Sequence, residues 1–406
     1  MHFAALCVSC RSVKEQGTTE LKIMAVGTRY EKESLGTMMA GFLAVCSRGS
    51  SICKKRLRVL PAMVLMICGW MFLVLISSAT YGHEFIPVLC YHDFSPAPET
   101  CYSITPDGFN SQLEWLRENG FYGVSLGTVA DAVSGCIPPL SPGAVVISID
   151  DGWKSGYTYA APILRKNGFT ATYFIYTDFV GCSAAVSWKE LRELAKNGFE
   201  IGSHTKSHPN FFTLQRKLDD HDYKQRVGEE LGASRDLLER NLGQPITMFS
   251  YPYGVYDSYV ESQVSQHGYR AAVTVNQGPN AQNAYLLELS RFIISRDHSL
   301  NDFEKMMKSG VLQVGAVTPP GGMHTNLPQP AVSVSIRNLS IAASSLAMRI
   351  GSDIVPAQFN PETGVYSYMP PQVLPRRPYL VTVVGEEIST KRDMYFSWLF
   401  LANRQG

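Results

Sequence analysis

Between residues 85 and 305 short apolar runs alternate with stretches in which apolar positions recur every three to four residues. Runs at 86–90, 121–125, 144–149, 170–175, 199–202, 246–250, 270–275 and 291–295 read as strands. With helical periods between them, they describe an α/β domain built on a largely parallel sheet. Thr105-Pro106 offers an N-cap and a first helical residue, after which Phe109, Leu113 and Leu116 share one face up to Gly120. Ser187 and Glu190 have capping-box spacing and open a helix through Leu191, Leu194 and Ala195 that stops at Gly198. Gly168 ends an earlier helix in the same way. A longer amphipathic stretch, 226–242, places Val227, Leu231, Leu238 and Leu242 at helical spacing before Gly243.

After residue 315 the pattern changes. Thr318-Pro-Pro-Gly-Gly322, Pro328 and Pro330 form a breaker-rich linker, and no further helical period follows. Val332–Ile336, Leu346–Ile350, Tyr379–Val384 and Tyr395–Leu401 are short, turn-separated apolar runs, and Asn360-Pro-Glu-Thr-Gly364 reads as a tight turn. That spacing predicts a small all-β, immunoglobulin-like or carbohydrate-binding sandwich over 318–406, following the α/β domain at 84–312.

Before residue 80, Lys54, Lys55, Arg56 and Arg58 precede an apolar run from Val59 to Ile76, and small residues follow at Ser77, Ser78 and Ala79. This order predicts a signal peptide or an uncleaved membrane anchor over 59–79. Either reading exports the rest of the chain to a periplasm, cell envelope or extracellular space. Residues 1–58 are an N-terminal extension, whose first 53 residues read as a start assigned too far upstream or as a cytoplasmic tail. In a chain of 406 residues, a formal net charge of +1 provides no long-range basic field, so a neutral partner fits better than nucleic acid. No oligomer signal is visible. Of nine cysteines, Cys90, Cys101, Cys136 and Cys182 fall in the exported part, where two disulfides could form.

The chemistry concentrates at two places. Ser148-Ile-Asp150-Asp151-Gly152 follows the apolar run Val145-Val-Ile, so two carboxylates stand side by side at a strand's carboxyl end. They repel each other unless a cation lies between them; the alternative is a solvated Asp-Asp-Gly turn. Phe199-Glu-Ile-Gly202 runs into Ser203-His204-Thr205-Lys206-Ser207-His208-Pro209, and two histidines four apart can chelate one metal if the segment turns helically. Two imidazoles and one carboxylate leave open positions on an ion, the arrangement of a catalytic site.

Together, Ser148-Ile149-Asp150-Asp151-Gly152 and His204-Thr205-Lys206-Ser207-His208 resemble the first two motifs of the polysaccharide deacetylase family with the NodB-homology domain, carbohydrate esterase family 4. The resemblance runs over 86–300. It implies a distorted (β/α) barrel, with Asp150 as general base and Asp151, His204 and His208 holding one divalent metal, zinc first and cobalt or nickel as alternatives. The reaction it implies is removal of N-acetyl groups from an N-acetylglucosamine polymer, exopolysaccharide or peptidoglycan, with release of acetate. The Tyr91-His92-Asp93 start resembles the subgroup that includes exported poly-N-acetylglucosamine deacetylases.

Other motifs depart from the family. Its third, Arg-x-Pro-Tyr, stands here as Ser250-Tyr-Pro-Tyr253, so the arginine that would orient the base is missing. Arg291 is one replacement, its other reading being a surface arginine at a strand end. Tyr253 would give its backbone N–H to an oxyanion pocket. The general acid has no motif; His298 is the nearest candidate by order along the chain, its other reading being an exposed histidine in a polar loop, and His92, after the first strand, could also line the site. Trp153, Tyr157 and Trp188 could stack on sugar rings or pack in the core. An O-acetyl esterase of xylan type and a catalytically degenerate carbohydrate-binding protein are the alternatives to an N-deacetylase.

Overall fold

All eight apolar runs become strands: β1 Val88–Tyr91, β2 Tyr122–Val124, β3 Ala144–Ile149, β4 Thr172–Ile175, β5 Glu200–Ser203, β6 Met248–Ser250, β7 Ala271–Val273 and β8 Phe292–Ile293. The computed structural model describes residues 85–337 and 340–403, so the export segment 59–79 and the extension before it lie outside the described residues. Among the described residues no helix is long and apolar enough to cross a membrane. The strands form one parallel sheet in the order β8-β1-β3-β4-β5-β6-β7, with β2 paired to the first half of β3. A parallel bridge between Val273 and Leu289, two residues before Arg291, draws the two ends of the sheet together.

Alternation along these strands sorts their side chains. Val145, Ile147 and Ile149 face the helices in the larger core. Ala144 and Val146 face an inner cluster with Val88, Phe174, Met248, Ala271, Val273 and Leu289, which also takes in Leu126, Val129 and Ala130 of the helix Leu126–Val133. Buried on both faces, β3 reads as a continuous apolar run. The same parity carries Ser148 and Asp150 inward at the carboxyl end of the sheet.

Of the expected helices, Pro106–Glu118 is capped by Thr105 and Trp188–Lys196 opens on the Ser187–Glu190 capping box. The long amphipathic helix begins earlier than its apolar pattern, at Asp220, because Asp219 caps it there and the first turns are polar apart from Tyr223. Phe211–Lys217, Ser258–Gln266 and Leu300–Lys308 are short capped helices with too few apolar positions to stand out as periods.

The C-terminal segment is a sandwich as expected. Its strands are β9 Gly310–Val311, β10 Val314–Thr318, β11 His324–Thr325, β12 Val332–Ile336, β13 Ala347–Ile350, β14 Asp353–Val355, β15 Gln358–Asn360, β16 Val365–Tyr368, β17 Pro378–Glu386 and β18 Asp393–Ala402. One sheet runs β9-β18-β17-β13-β14, with β11 also on β18; the other runs β10-β12-β16-β15. The larger sheet is mixed, since β9 and β11 lie parallel to β18. The sheets begin at Gly310, ahead of the Pro/Gly segment that marks the boundary in the sequence. That segment is embedded: the Trp398 indole donates to the Pro319 carbonyl at 2.9 Å. Asn360 forms the expected turn, its side chain accepting from the backbone N–H groups of Glu362 and Thr363.

Candidate active site

At the carboxyl end of the parallel sheet, inward-facing residues of five strands or their extensions meet in a cavity of about 340 Å³ lined by Cys90, His92, Asp150, His204, Val275 and Arg291, among others. This is the face on which parallel β/α folds build their sites. Asp150 and Asp151 leave β3 through a sharp turn, with Asp151 at φ 74° and Gly152 at φ 85°. A Cβ on Gly152 would also come within 3.1 Å of Ile175. The turn separates the carboxylates instead of leaving them parallel, so each has its own surroundings.

Asp150 is 2% exposed and Arg291 1% exposed. The guanidinium Nη1 lies 2.8 Å from both carboxylate oxygens of Asp150, and Nε donates to the Thr274 carbonyl at 2.7 Å. Ser250, at the position of the missing arginine, donates to Asp150 Oδ2 at 3.1 Å and accepts from Arg291 Nη2 at 3.2 Å. Burial by itself would raise the Asp150 pKa, but Arg291, helped by His204 and His92, outweighs it and holds it down to about 2. The surface reading of Arg291 is therefore wrong. Parity explains it, because Arg291 precedes β8 in register with inward-facing Leu289 and Ile293.

The histidine loop also corrects an expectation. His204–Pro209 does not turn helically; Thr205 (φ 69°) and His208 (φ 58°) take left-handed conformations. Among the described residues, Asp151, Thr205, His208 and Tyr253 are four of the five non-glycine residues with positive φ, so backbone strain is concentrated here. Hydrogen bonds hold the loop in place: His208 N–H donates to Thr205 Oγ1 at 3.0 Å, and the fully buried Glu230 accepts from Ser207 N–H at 2.7 Å and Ser207 Oγ at 2.6 Å. Glu230 escaped the sequence reading. A glutamate beside Leu231, on the buried stripe Tyr223, Val227, Leu231, Leu238, was the signal.

The Ser250 carbonyl lies 2.7 Å from His204 Nδ1, which assigns the ring proton to Nδ1 and leaves a lone pair on Nε2. That Nε2 is 3.1 Å from His208 Nε2. Asp151 Oδ1 lies 3.6 Å and 3.5 Å from the two, while Oδ2 accepts from the Trp153 indole at 3.1 Å. Burial and the neighbouring His204 hold His208 down to about 4, in its neutral, ligating form. Two imidazoles and a carboxylate, with donor atoms all within 4.8 Å of one another, form a set that a divalent cation fits.

His92 lines the cavity, its Nδ1 buried without a hydrogen-bond partner. Burial holds its pKa below the ordinary imidazole range, against the pull of Asp150 and Asp151. The Tyr253 ring is 4.6 Å from that of His208 and 59% exposed. His298 is not drawn into the cavity; its Nδ1 accepts from the Ser295 N–H within its own turn. Trp188 packs against the core and Tyr157 donates to Glu193, so of the three aromatic candidates Trp153 alone reaches the site. Trp153 also lines an adjoining cavity of about 420 Å³ with His92, Tyr102 and Asp151. The four cysteines among the described residues are unpaired, and the buried Cys90 Sγ sits 3.7 Å from Asp150 Oδ2.

Residues 138–272 match the sequence model of the polysaccharide deacetylase family. A poly-β-1,6-N-acetyl-D-glucosamine N-deacetylase of Escherichia coli is 23% identical over 62% of this chain and 42% of its own length, so the chain spans less than half of that relative. The enzyme of the same description from Staphylococcus aureus is 26% identical over 51% of this chain and 71% of its own. Among solved structures, the Streptococcus pyogenes deacetylase PplD in complex with acetate is 26% identical, with a TM-score of 0.50 over 55% of this chain and 98% of the other.

Proposed function

We propose that this chain, a member of the polysaccharide deacetylase family, is a metal-dependent N-deacetylase that hydrolyses N-acetyl groups of an N-acetylglucosamine polymer and releases acetate. The observation that carries this reading is the division of labour between two neighbouring carboxylates. Asp150 is paired with a buried arginine, while Asp151 joins two histidines in a separate donor cluster. Asp151, His204 and His208 would hold the metal, with zinc the first candidate for an N₂O donor set. When bound, the ion supplies Lewis-acid polarisation of the acetamide carbonyl.

The chain's own groups do the rest. Asp150, ionised throughout the neutral range, accepts the proton of the attacking water. His92, facing the same cavity and kept neutral at rest by burial, takes up the proton that Asp150 has drawn from the water and passes it to the departing amine. The backbone N–H of Tyr253, in its left-handed turn, donates to the oxygen on which negative charge develops. Among the described residues, Arg291 is the one Lys or Arg lining either cavity, and it is committed to Asp150, so they offer no free cationic side chain there to a phosphate or other anionic substrate. A neutral glycan suits it, with Tyr102 and Trp153 offering ring faces to sugars. The names of the relatives support a poly-N-acetylglucosamine substrate. The basic residues before the apolar run 59–79 support action outside the cytoplasm.

The test is acetate release from N-acetylglucosamine oligomers by the zinc- or cobalt-loaded chain. Acetate and free amine should appear in equal amounts, disappear on chelation and return with added metal. Glycan binding without acetate release would replace the enzyme by a binding protein, and acetate from acetylxylan alone would indicate an O-esterase. Glu230→Gln should weaken metal affinity by roughly 10–100-fold, as loss of a group that supports metal ligands does, with the fold retained. Metal titration by competition with a chelator checks this; unchanged affinity would show that the loop is held without Glu230.

A further inference from the structure

We infer that the C-terminal sandwich is a structural wall of the catalytic cavity and that Leu380, on its strand β17, limits the length of the acyl group the enzyme removes. The inference rests on the N-deacetylase reading above. It begins from the alternation of β17 and β18, which are buried on both faces. Tyr379, Val381 and Val383 of β17, with Trp398, Phe400 and Ala402 of β18, enter the sandwich core. Leu399 and Leu401 of β18 belong to the core of the parallel-sheet domain, and Leu380 packs against that core. Leu380 stands opposite Leu399 in the β17–β18 ladder, so both face the barrel. Leu380 also lines the cavity that holds Asp150, His204 and His208.

The junction is specific where it approaches the site. Ser397 Oγ donates to the Gln277 carbonyl at 3.0 Å. Gly278, at φ 131°, leaves room for Tyr395, whose Cβ would lie 2.9 Å from a Cβ added there. The Tyr395 ring meets Phe292 at 5.6 Å in an edge contact. The neighbouring Asn276 carbonyl accepts the backbone N–H of Arg291 at 2.7 Å. The sandwich thus touches the two segments that carry Val275, Arg291 and Ile293 to the cavity.

Within that cavity the polar groups of the reaction lie together, and Val275, Ile293 and Leu380 supply apolar surface. The acetyl methyl is the one wholly apolar part of the scissile group, so it turns to that side. Two of the three apolar residues come from the barrel. Leu380, contributed by the sandwich, closes the space that a longer acyl chain would need.

The experiment compares acetate and propionate release from N-acetyl- and N-propionyl-glucosamine oligomers by the metal-loaded full chain and its Leu380→Ala, Leu380→Phe and Val381→Ala variants. One methylene in an apolar pocket is worth roughly tenfold or more, so Leu380→Ala should shift the kcat/KM ratio about tenfold toward propionyl. Leu380→Phe should shift it the other way. Val381→Ala points into the sandwich and should lower stability with the ratio unchanged. Equal ratios in folded Leu380 variants, or an equal shift in Val381→Ala, would overturn the inference. Wild type without acetate release would instead overturn the deacetylase reading. In that event the relative affinities for acetate and propionate, measured by calorimetry, test the wall without turnover; a ratio that Leu380→Ala leaves unmoved sinks it.

Discussion

Asp150→Asn is expected to lower acetate release by about 10²–10⁴, the contribution of a positioned general base, while bound metal stays at the wild-type level. Asparagine retains an oxygen that can accept from Arg291 Nη1, so the geometry around the base has a means of surviving. It cannot take a proton from water at neutral pH. Metal content should be unaffected because the donor cluster is Asp151, His204 and His208, and Asp150 Oδ2 stands 3.9 Å from His204 Nε2. Acetate release and metal content, measured on the same preparation, separate the roles. Loss of metal would make Asp150 a ligand, and turnover within a few-fold of wild type would move the base elsewhere.

The two carboxylates, the two histidines and all eight barrel strands were legible in the sequence because each rests on a local signal. A buried parallel strand is a continuous apolar run, and a metal-ligand set shows its residue types directly. What escaped depends on parity and on contacts between distant segments. Arg291 reads as a surface residue until the inward register of Leu289 and Ile293 is known. Its partner is 141 positions away. The spacing of the histidine pair points to a helical turn, whereas a strained loop brings the rings together, held by Glu230 on the helix Asp220–Leu242. Leu380 looked like one more core residue of a β strand. The run Tyr395–Leu401 carries a clue, since apolar residues at both alternating sets of positions, interrupted only by Ser397, mark a strand buried on both faces.

Arg291→Met should cost about 3–5 kcal/mol of unfolding free energy at pH 7, the usual result of stranding one member of a buried ion pair. Methionine fills part of the volume but leaves the Asp150 carboxylate without its cation, with Cys90 and Ser250 as its remaining side-chain donors. Urea unfolding in the presence of chelator isolates this effect from metal binding. The pH dependence has a definite sign. In wild type the folded Asp150 pKa of about 2 lies below the unfolded carboxylate value of roughly 3.9, so the stabilisation is fully present above that value. It is lost as pH falls toward 2. In the variant, burial becomes the dominant influence and raises the folded pKa above the unfolded one. The contribution then reverses: it is present when the carboxyl is protonated and lost as pH rises. The stability gap between the two proteins should therefore narrow as pH falls from 7 to 3, while other carboxylates cancel in the difference. Adding Asp150→Asn to Arg291→Met removes the stranded charge and should recover much of the loss, so the two changes will not be additive. A gap independent of pH, with additive losses in the double variant, would mean that Arg291 stabilises by packing and does not hold the base in its ionised form.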